Sequence, residues 1–215
     1  MTGIVDAASA FHTPTFMQAR DAGDTETDEA LMLAWQAGDA SAFDRIYARH
    51  RGGVFRYLLR HCRDRATAEE LHQDVWLKLI AARARFDAAA RFTTWLYSVA
   101  RNRMIDHWRR NPAQRLVSLD DDGDGRGIGE LLEDSDPAGN PQGAATLLQE
   151  SALLVEALEA LEALPAAQRD AFLLHVEGGL AVGEIAALTS TPAETVKSRL
   201  RYAYKRLRAS LGDPA

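Results

Sequence analysis

The chain has 215 residues, a formal net charge of −6, 47% hydrophobic and 26% charged residues. These values suit one or two globular domains and exclude a large multidomain machine. No run of about 18 apolar residues predicts a membrane span, Met1–Gln18 lacks the basic start and apolar run of a secretory signal, and the lone Cys62 excludes a disulfide framework and argues against a cysteine-built zinc site.

In chain order, residues 1–27 mix Thr, Asp, Ala and Gly without period and read as a mobile tail with net charge −3. Residues 28–110 contain three glycines, no proline and a net charge of +5. Asp28 is read as the N-cap of a first helix carrying Leu31, Leu33, Ala34 and Trp35, which Gly38 ends. Ser41 starts a second, with Phe43, Ile46 and Tyr47 on one side. Thr67 and Glu70 have capping-box spacing, and Leu71, Val75, Leu79 and Ala82 follow at helical period. A fourth helix runs from about Thr93 to Arg110 and stops before Asn111-Pro112.

Residues 111–164 reverse the charge, to net −10. Around Asp120–Gly125 there is too little apolar surface to offset ordering entropy. Residues 112–143 are therefore read as an acidic linker. A Leu/Ala/Glu helix begins near Ala144, Pro165 falls at the first position of the next, and Gly178-Gly179 ends that one. Short helical patterns over Val182–Leu188 and Pro192–Leu211 close the chain, in a segment 165–215 of net +2. Strict apolar/polar alternation is missing. The fold class read from this is all-α: two small helical domains, 28–111 and 144–215, joined by the linker.

The last two helices have the spacing of a helix-turn-helix. Thr191, Pro192 and Glu194 sign the start of the second as cap, first position and capping box. Val196, Leu200, Ala203 and Leu207 form its inward stripe. Glu194, Lys197, Ser198, Arg201, Lys205 and Arg208 form another, suited to a major groove and its flanking phosphates. Ser190 stands where such turns usually carry glycine. If it is left-handed, it costs about 1–2 kcal/mol.

The helix Thr93–Arg110 interleaves Trp95, Tyr97 and Trp108 with Arg101, Arg103, Arg109 and Arg110, next to Arg91 and Phe92. Rings that stack on bases and arginines that follow the backbone suit unpaired nucleic acid. In the plainer alternative, Trp95, Leu96 and Val99 are core and the arginines a solvated face. On the preceding helix, Glu69, Glu70, Gln73 and Asp74 lie beside Trp76, Leu77 and Ile80. The acidic first turns suit the helix dipole, while apolar residues nearly all round leave a face for a partner protein.

The stretch Ala68–Leu79, then Arg91–Asn102 with Asp106 and Arg109, resembles region two of bacterial sigma factors. Leu164–Phe172, Glu184-Ile185-Ala186 and Thr195–Leu200 resemble their region four. Their order, the linker and the short length resemble the extracytoplasmic-function (ECF) subgroup. The resemblance implies a non-enzymatic, cytoplasmic initiation subunit without cofactor or metal. Its implied partners are core RNA polymerase, promoter DNA as duplex and as non-template single strand, and an anti-sigma protein.

Carried over by position, Glu70, Gln73, Asp74 and Leu77 would face the clamp of the largest polymerase subunit. Phe86, Arg91 and Asn102 would hold a flipped base of the minus-ten element, and Arg101, Arg109 and Arg110 its strand. Glu194, Lys197, Ser198, Arg199 and Arg201 would read the minus-thirty-five element. The linker resembles in placement a segment that threads towards the polymerase cleft. A helix-turn-helix regulator acting on duplex DNA alone is the alternative; it leaves the first domain unused. Enzyme chemistry has no motif here: His61, His72, His107 and Asp106 lack metal-ligand spacing.

Overall fold

The computed structural model describes residues 26–62, 64–111 and 154–210, and among these every regular element is helical. The tail over 1–25 and the linker over 112–143 lie outside the described residues, as does the start assigned to the helix near Ala144.

The first module is built from α1 (Asp28–Gln36), α2 (Ala40–Cys62), α3 (Arg65–Ala82), a 3-10 turn (Arg83–Arg85) and α4 (Phe92–Arg110). In α1 the N-cap is Thr27, not Asp28: the Thr27 side chain accepts the Ala30 N–H at 3.2 Å. Asp28 is drawn instead into tertiary bonds, to His50 Nε2 at 2.8 Å and to Arg49. Gly38, at φ 108°, ends the helix. The bonds Gly38 N–H to Trp35 and Asp39 N–H to Ala34 close a Schellman motif.

Asp39 caps the start of α2 by accepting the Ser41 N–H and hydroxyl. The expected Thr67/Glu70 capping box is likewise corrected. Asp64 caps α3, accepting the Thr67 N–H at 2.8 Å, so the helix starts at Arg65. A cap earlier in the chain wins because it satisfies an orphan first-turn donor while adding residues to the helix.

Leu31, Met32, Ile46, Val54, Leu58, Val75, Leu79, Leu96, Ala100 and Met104 fill the space between these helices. The aromatic rings of Trp35, Phe43, Tyr47 and Trp76 pack at 4.7–6.1 Å along α1, α2 and α3. Cys62 is half-buried, and burial pushes its thiol up to about 12, the behaviour of an inert core thiol.

The second module holds α5 (154–162), α6 (Ala166–Val176), α7 (Val182–Thr189) and α8 (Ala193–Ser210). Pro165 takes the N-cap of α6 rather than its first helical position. Val196 N–H bonds the Pro192 carbonyl, so α8 begins at Ala193. The three-part start read for α8 does not form. Thr191 donates its hydroxyl to the Thr189 carbonyl, and Glu194 turns away to Lys197. The cap-like bond falls one helix earlier, where Glu184 accepts the Ala181 N–H at 2.7 Å.

Buried apolar residues of the two modules form one connected cluster. The α2 backbone approaches the second module at Gly53. A Cβ there would lie 3.3 Å from the Glu177 carbonyl and 2.9 Å from the Tyr97 hydroxyl.

Candidate nucleic-acid interface

The helix-turn-helix is the clearest local construction. Ser190 stands at φ 51°, ψ 44° and is the one non-glycine residue with positive φ among those described. The bonds Thr191 N–H to Ala186 and Ser190 N–H to Ala187 complete a Schellman motif about it. The left-handed turn that the sequence permitted is therefore present, with serine bearing the steric cost.

Behind that turn, Val196, Leu200 and Ala203 seat α8 on α6 and α7. Of the five residues assigned to the reader face, Glu194, Lys197 and Arg201 are exposed, while Ser198 and Arg199 are half-buried. Glu194 pairs with Lys197 at 2.7 Å. Arg201 lies 5.2 Å over the Tyr202 ring, and Arg199 donates to the Thr191 hydroxyl at 3.4 Å. The arrangement sets three cations and one carboxylate along a single helix following a fixed turn, as groove reading requires.

In the first module the turn between the 3-10 segment and α4 is held from α1. Gln36 donates to the Arg83 carbonyl at 2.7 Å and to the Phe86 carbonyl at 3.1 Å. Glu29 accepts the Phe92 N–H at 2.9 Å and so caps α4 from a neighbouring helix. Asp87 accepts the Ala89 N–H in an Asx turn. Gln36 and Glu29 were missed in the sequence because nothing local distinguishes them from surface residues of a helix. Residues 87–91 stand exposed on this scaffold.

Phe86 was expected to face a flipped base. The structure buries it to 7% exposure, its ring 5.3 Å from Trp95 and 6.1 Å from Phe92. An apolar ring beside two others gains more from that contact than from an exposed turn. Phe86 therefore supports the turn from beneath. Asn102, Arg109 and Arg110 are exposed on α4.

Two other α4-side cations are engaged by the second module. Arg91 donates to Glu184 at 2.8 Å and to the Gly179 carbonyl at 3.2 Å. Arg101 donates through Nε to Asp170 at 3.1 Å and through Nη1 to the Leu188 carbonyl at 3.5 Å. Thr94 also donates to Glu184. Asp170 further accepts from the Tyr57 hydroxyl at 2.9 Å and lies 3.4 Å from His61 Nε2. Burial alone would raise its carboxyl. The His61 bond and charge, Arg101 and Tyr57 outweigh burial and hold it at about 2. Glu177 accepts Arg56 in a bidentate fork at 2.8–3.0 Å. These acidic partners lie 69 to 121 residues from their cations, and no sequence pattern announces them.

On α3, Glu70, Gln73 and Leu77 are exposed, Leu77 to 64%. Ile80 is exposed beside them. Asp74 differs: it is half-buried and ion-paired to Arg103 of α4, whose side chain is only 14% exposed. Its carboxylate is thus part of the α3–α4 contact. No cluster of three or more His, Cys, Asp or Glu suited to a metal occurs among the described residues.

The fold defines a two-module protein, all-helical among the described residues, whose second module is a helix-turn-helix. Comparison with known proteins gives the family. Residues 46–113 match the Sigma-70 region 2 family and residues 154–207 the Sigma-70, region 4 family, together more than half of the chain.

The chain is 29% identical over 182 residues to the RNA polymerase sigma factor CarQ of Myxococcus xanthus, spanning 85% of this chain and 96% of that one. It is 27% identical to the ECF RNA polymerase sigma factor BldN of Streptomyces coelicolor, over 91% of this chain and 71% of the relative. To the ECF RNA polymerase sigma-E factor of Escherichia coli it is 28% identical, over 81% and 88%.

Among solved structures, the sigma factor RpoE in complex with the anti-sigma factor NepR from Bartonella quintana matches with a TM-score of 0.58 at 20% identity, covering 80% of this chain and 98% of that one. CnrH in complex with the cytosolic domain of CnrY gives 0.56 at 19%, covering 88% and 100%. Both share the fold. The chain belongs to the ECF subgroup of RNA polymerase sigma factors.

Proposed function

We propose that this sigma factor divides its work among three surfaces. The exposed face of α3, with Glu70, Gln73 and Leu77, docks on the clamp of the largest polymerase subunit. Asp74 contributes there mainly by fixing α3 against α4. The turn over 86–91 and the face of α4 bearing Arg101, Asn102, Arg109 and Arg110 take the non-template strand of the minus-ten element. Arg91 joins them from the end of the turn. The α8 residues Glu194, Lys197, Ser198, Arg199 and Arg201 read the minus-thirty-five element in duplex DNA.

The observation that carries the reading is the joint presence, in this order, of the region-two and region-four modules, with a fixed left-handed turn before a cation-bearing helix. Opening the duplex then needs no catalytic group. Base unstacking costs a few kcal/mol, which base contacts at the 86–91 turn and a cationic strand path would offset. Sigma factors are non-enzymatic initiation factors, and the same is proposed for this chain, with no cofactor and a cytoplasmic location. No helix among the described residues is long and apolar enough to cross a membrane. An anti-sigma protein is proposed as a further partner, by analogy with the complex of RpoE and NepR.

The test is transcription reconstituted from core polymerase, this chain and a library of promoter fragments. Selective enrichment of fragments sharing two short elements at one fixed spacing is expected. Duplex binding by the chain alone, with no transcription, would replace this reading with that of a free regulator.

A further inference from the structure

Two of the cations assigned to the minus-ten strand are already bonded to carboxylates of the other module. Asp170 of α6 receives Arg101, and Glu184 of α7 receives Arg91 and Thr94. Both carboxylates sit low in exposure, 15% and 23% at the side chain. Asp170 satisfies its oxygens with Tyr57, His61 and Arg101, all from the first module. At the rim, Glu177 forks onto Arg56. The first module thus meets three carboxylates of the second with six cationic or hydroxyl groups: Arg56, Tyr57 and His61 of α2, Arg91 at the N-cap of α4, and Thr94 and Arg101 of α4. Gly53 lets the backbones close to a distance that a Cβ would crowd. A carboxylate with charge-assisted hydrogen bonds to arginine presents the same chemistry as a DNA phosphate.

We propose that Asp170 and Glu184 form an intramolecular clasp that occupies the strand-binding arginines Arg101 and Arg91, so that the closed chain is self-inhibited for single-stranded DNA. The inference rests on the minus-ten assignment of those arginines. Strand and clasp compete for the same guanidinium groups, and the strand binds only the fraction of molecules in which the modules have parted. Apparent affinity falls in proportion to that fraction. Releasing the clasp leaves Arg91 and Arg101 on the first module, solvated and ready for phosphate. The second module keeps its α8 face, because Asp170 and Glu184 lie on other helices.

The experiment uses the full chain with donor and acceptor dyes on cysteines placed at exposed Ala81 and Ala209, in a Cys62→Ala background, and reads energy transfer without DNA. The original clasp should give one high-transfer population. Asp170→Asn with Glu184→Gln should shift it to low transfer. Binding of a fluorescent single-stranded, AT-rich oligonucleotide should tighten by about ten-fold or more, the scale expected when charged hydrogen bonds are removed from the competing state.

Arg91→Ala with Arg101→Ala should open the chain equally but bind the oligonucleotide no better than the clasped protein. Unchanged energy transfer in both pairs, with helix content intact, overturns the clasp. Opening by Asp170→Asn with Glu184→Gln and no gain in strand binding overturns the competition through the minus-ten assignment. If the buried Asp170 variant fails to fold, Glu177→Gln with Glu184→Gln removes the two outer links and is held to the same readouts.

Discussion

Replacing Asp74 with alanine removes the carboxylate that neutralises Arg103 between α3 and α4. The Arg103 side chain is 14% exposed and Asp74 33%, so the pair is partly shielded from water, and Arg103 Nη2 would lose its carboxylate partner there. A hydrogen bond to a charged group is worth about 1.5–3 kcal/mol, and more of that is lost when one partner is stranded than when both are removed. For a chain of this length each kcal/mol moves the melting point by about 2–4 °C, so Asp74→Ala should melt about 3–12 °C lower.

Adding Arg103→Met should recover part of the loss, because the buried cation is gone and its volume is refilled. A double-mutant cycle by thermal melting isolates the pair. Core-polymerase affinity measured well below the melting point reads any interface share of Asp74 separately. Melting of Asp74→Ala within about 1 °C of the original, or strict additivity in the cycle, would refute the assignment of Asp74 to the α3–α4 contact.

Further predictions follow the same physics. Ser190→Gly relieves a left-handed cost of about 1–2 kcal/mol and forfeits about 0.4–1 kcal/mol to the freer unfolded chain, so the melting point should rise slightly; a fall would contradict the turn's geometry. Gly178→Ala places a Cβ 2.6 Å from the Leu174 carbonyl oxygen and 2.6 Å from Leu180 Cδ1, and should cost about 1–3 kcal/mol in denaturant titration.

Asp170 adds a pH signature. Its folded pKa of about 2 lies below the ordinary 3.8, so its contribution is full above pH 4 and is lost as the pH falls through 2. The size is on the order of 2 kcal/mol. Asp170→Asn should flatten stability against pH in that window, and an unchanged slope would remove Asp170 from the network.

Much of this architecture is legible in the sequence because it is local. Gly38 and Gly178-Gly179 punctuate the helices, and the period of Val196, Leu200 and Ala203 sets the buried face of α8. Ser190 was readable as the turn residue, since it stands where such turns usually carry glycine. What the sequence concealed is tertiary. Thr27 and Asp64 cap helices that Asp28 and Thr67 seemed to start, because Asp28 is claimed by His50 and Arg49 and an earlier cap lengthens α3. Phe86 turned inward because Phe92 and Trp95 offer it an aromatic contact. The carboxylates of Asp170, Glu177 and Glu184 look, in sequence, like ordinary helix-surface acids. Only folding brings them to arginines 69 to 121 residues away.

The most direct measurement is co-elution of the purified chain with bacterial core RNA polymerase on a sizing column, run beside Leu77→Asp. Leu77 is 64% exposed, so the charge should leave the fold intact. It should weaken core binding by about ten-fold or more if α3 is the docking face. The account predicts co-elution of the original chain at micromolar concentration and its loss in the variant, with both proteins equally helical. Clean separation of the original chain from core polymerase would contradict the account, and co-elution of both alike would move the docking face off α3.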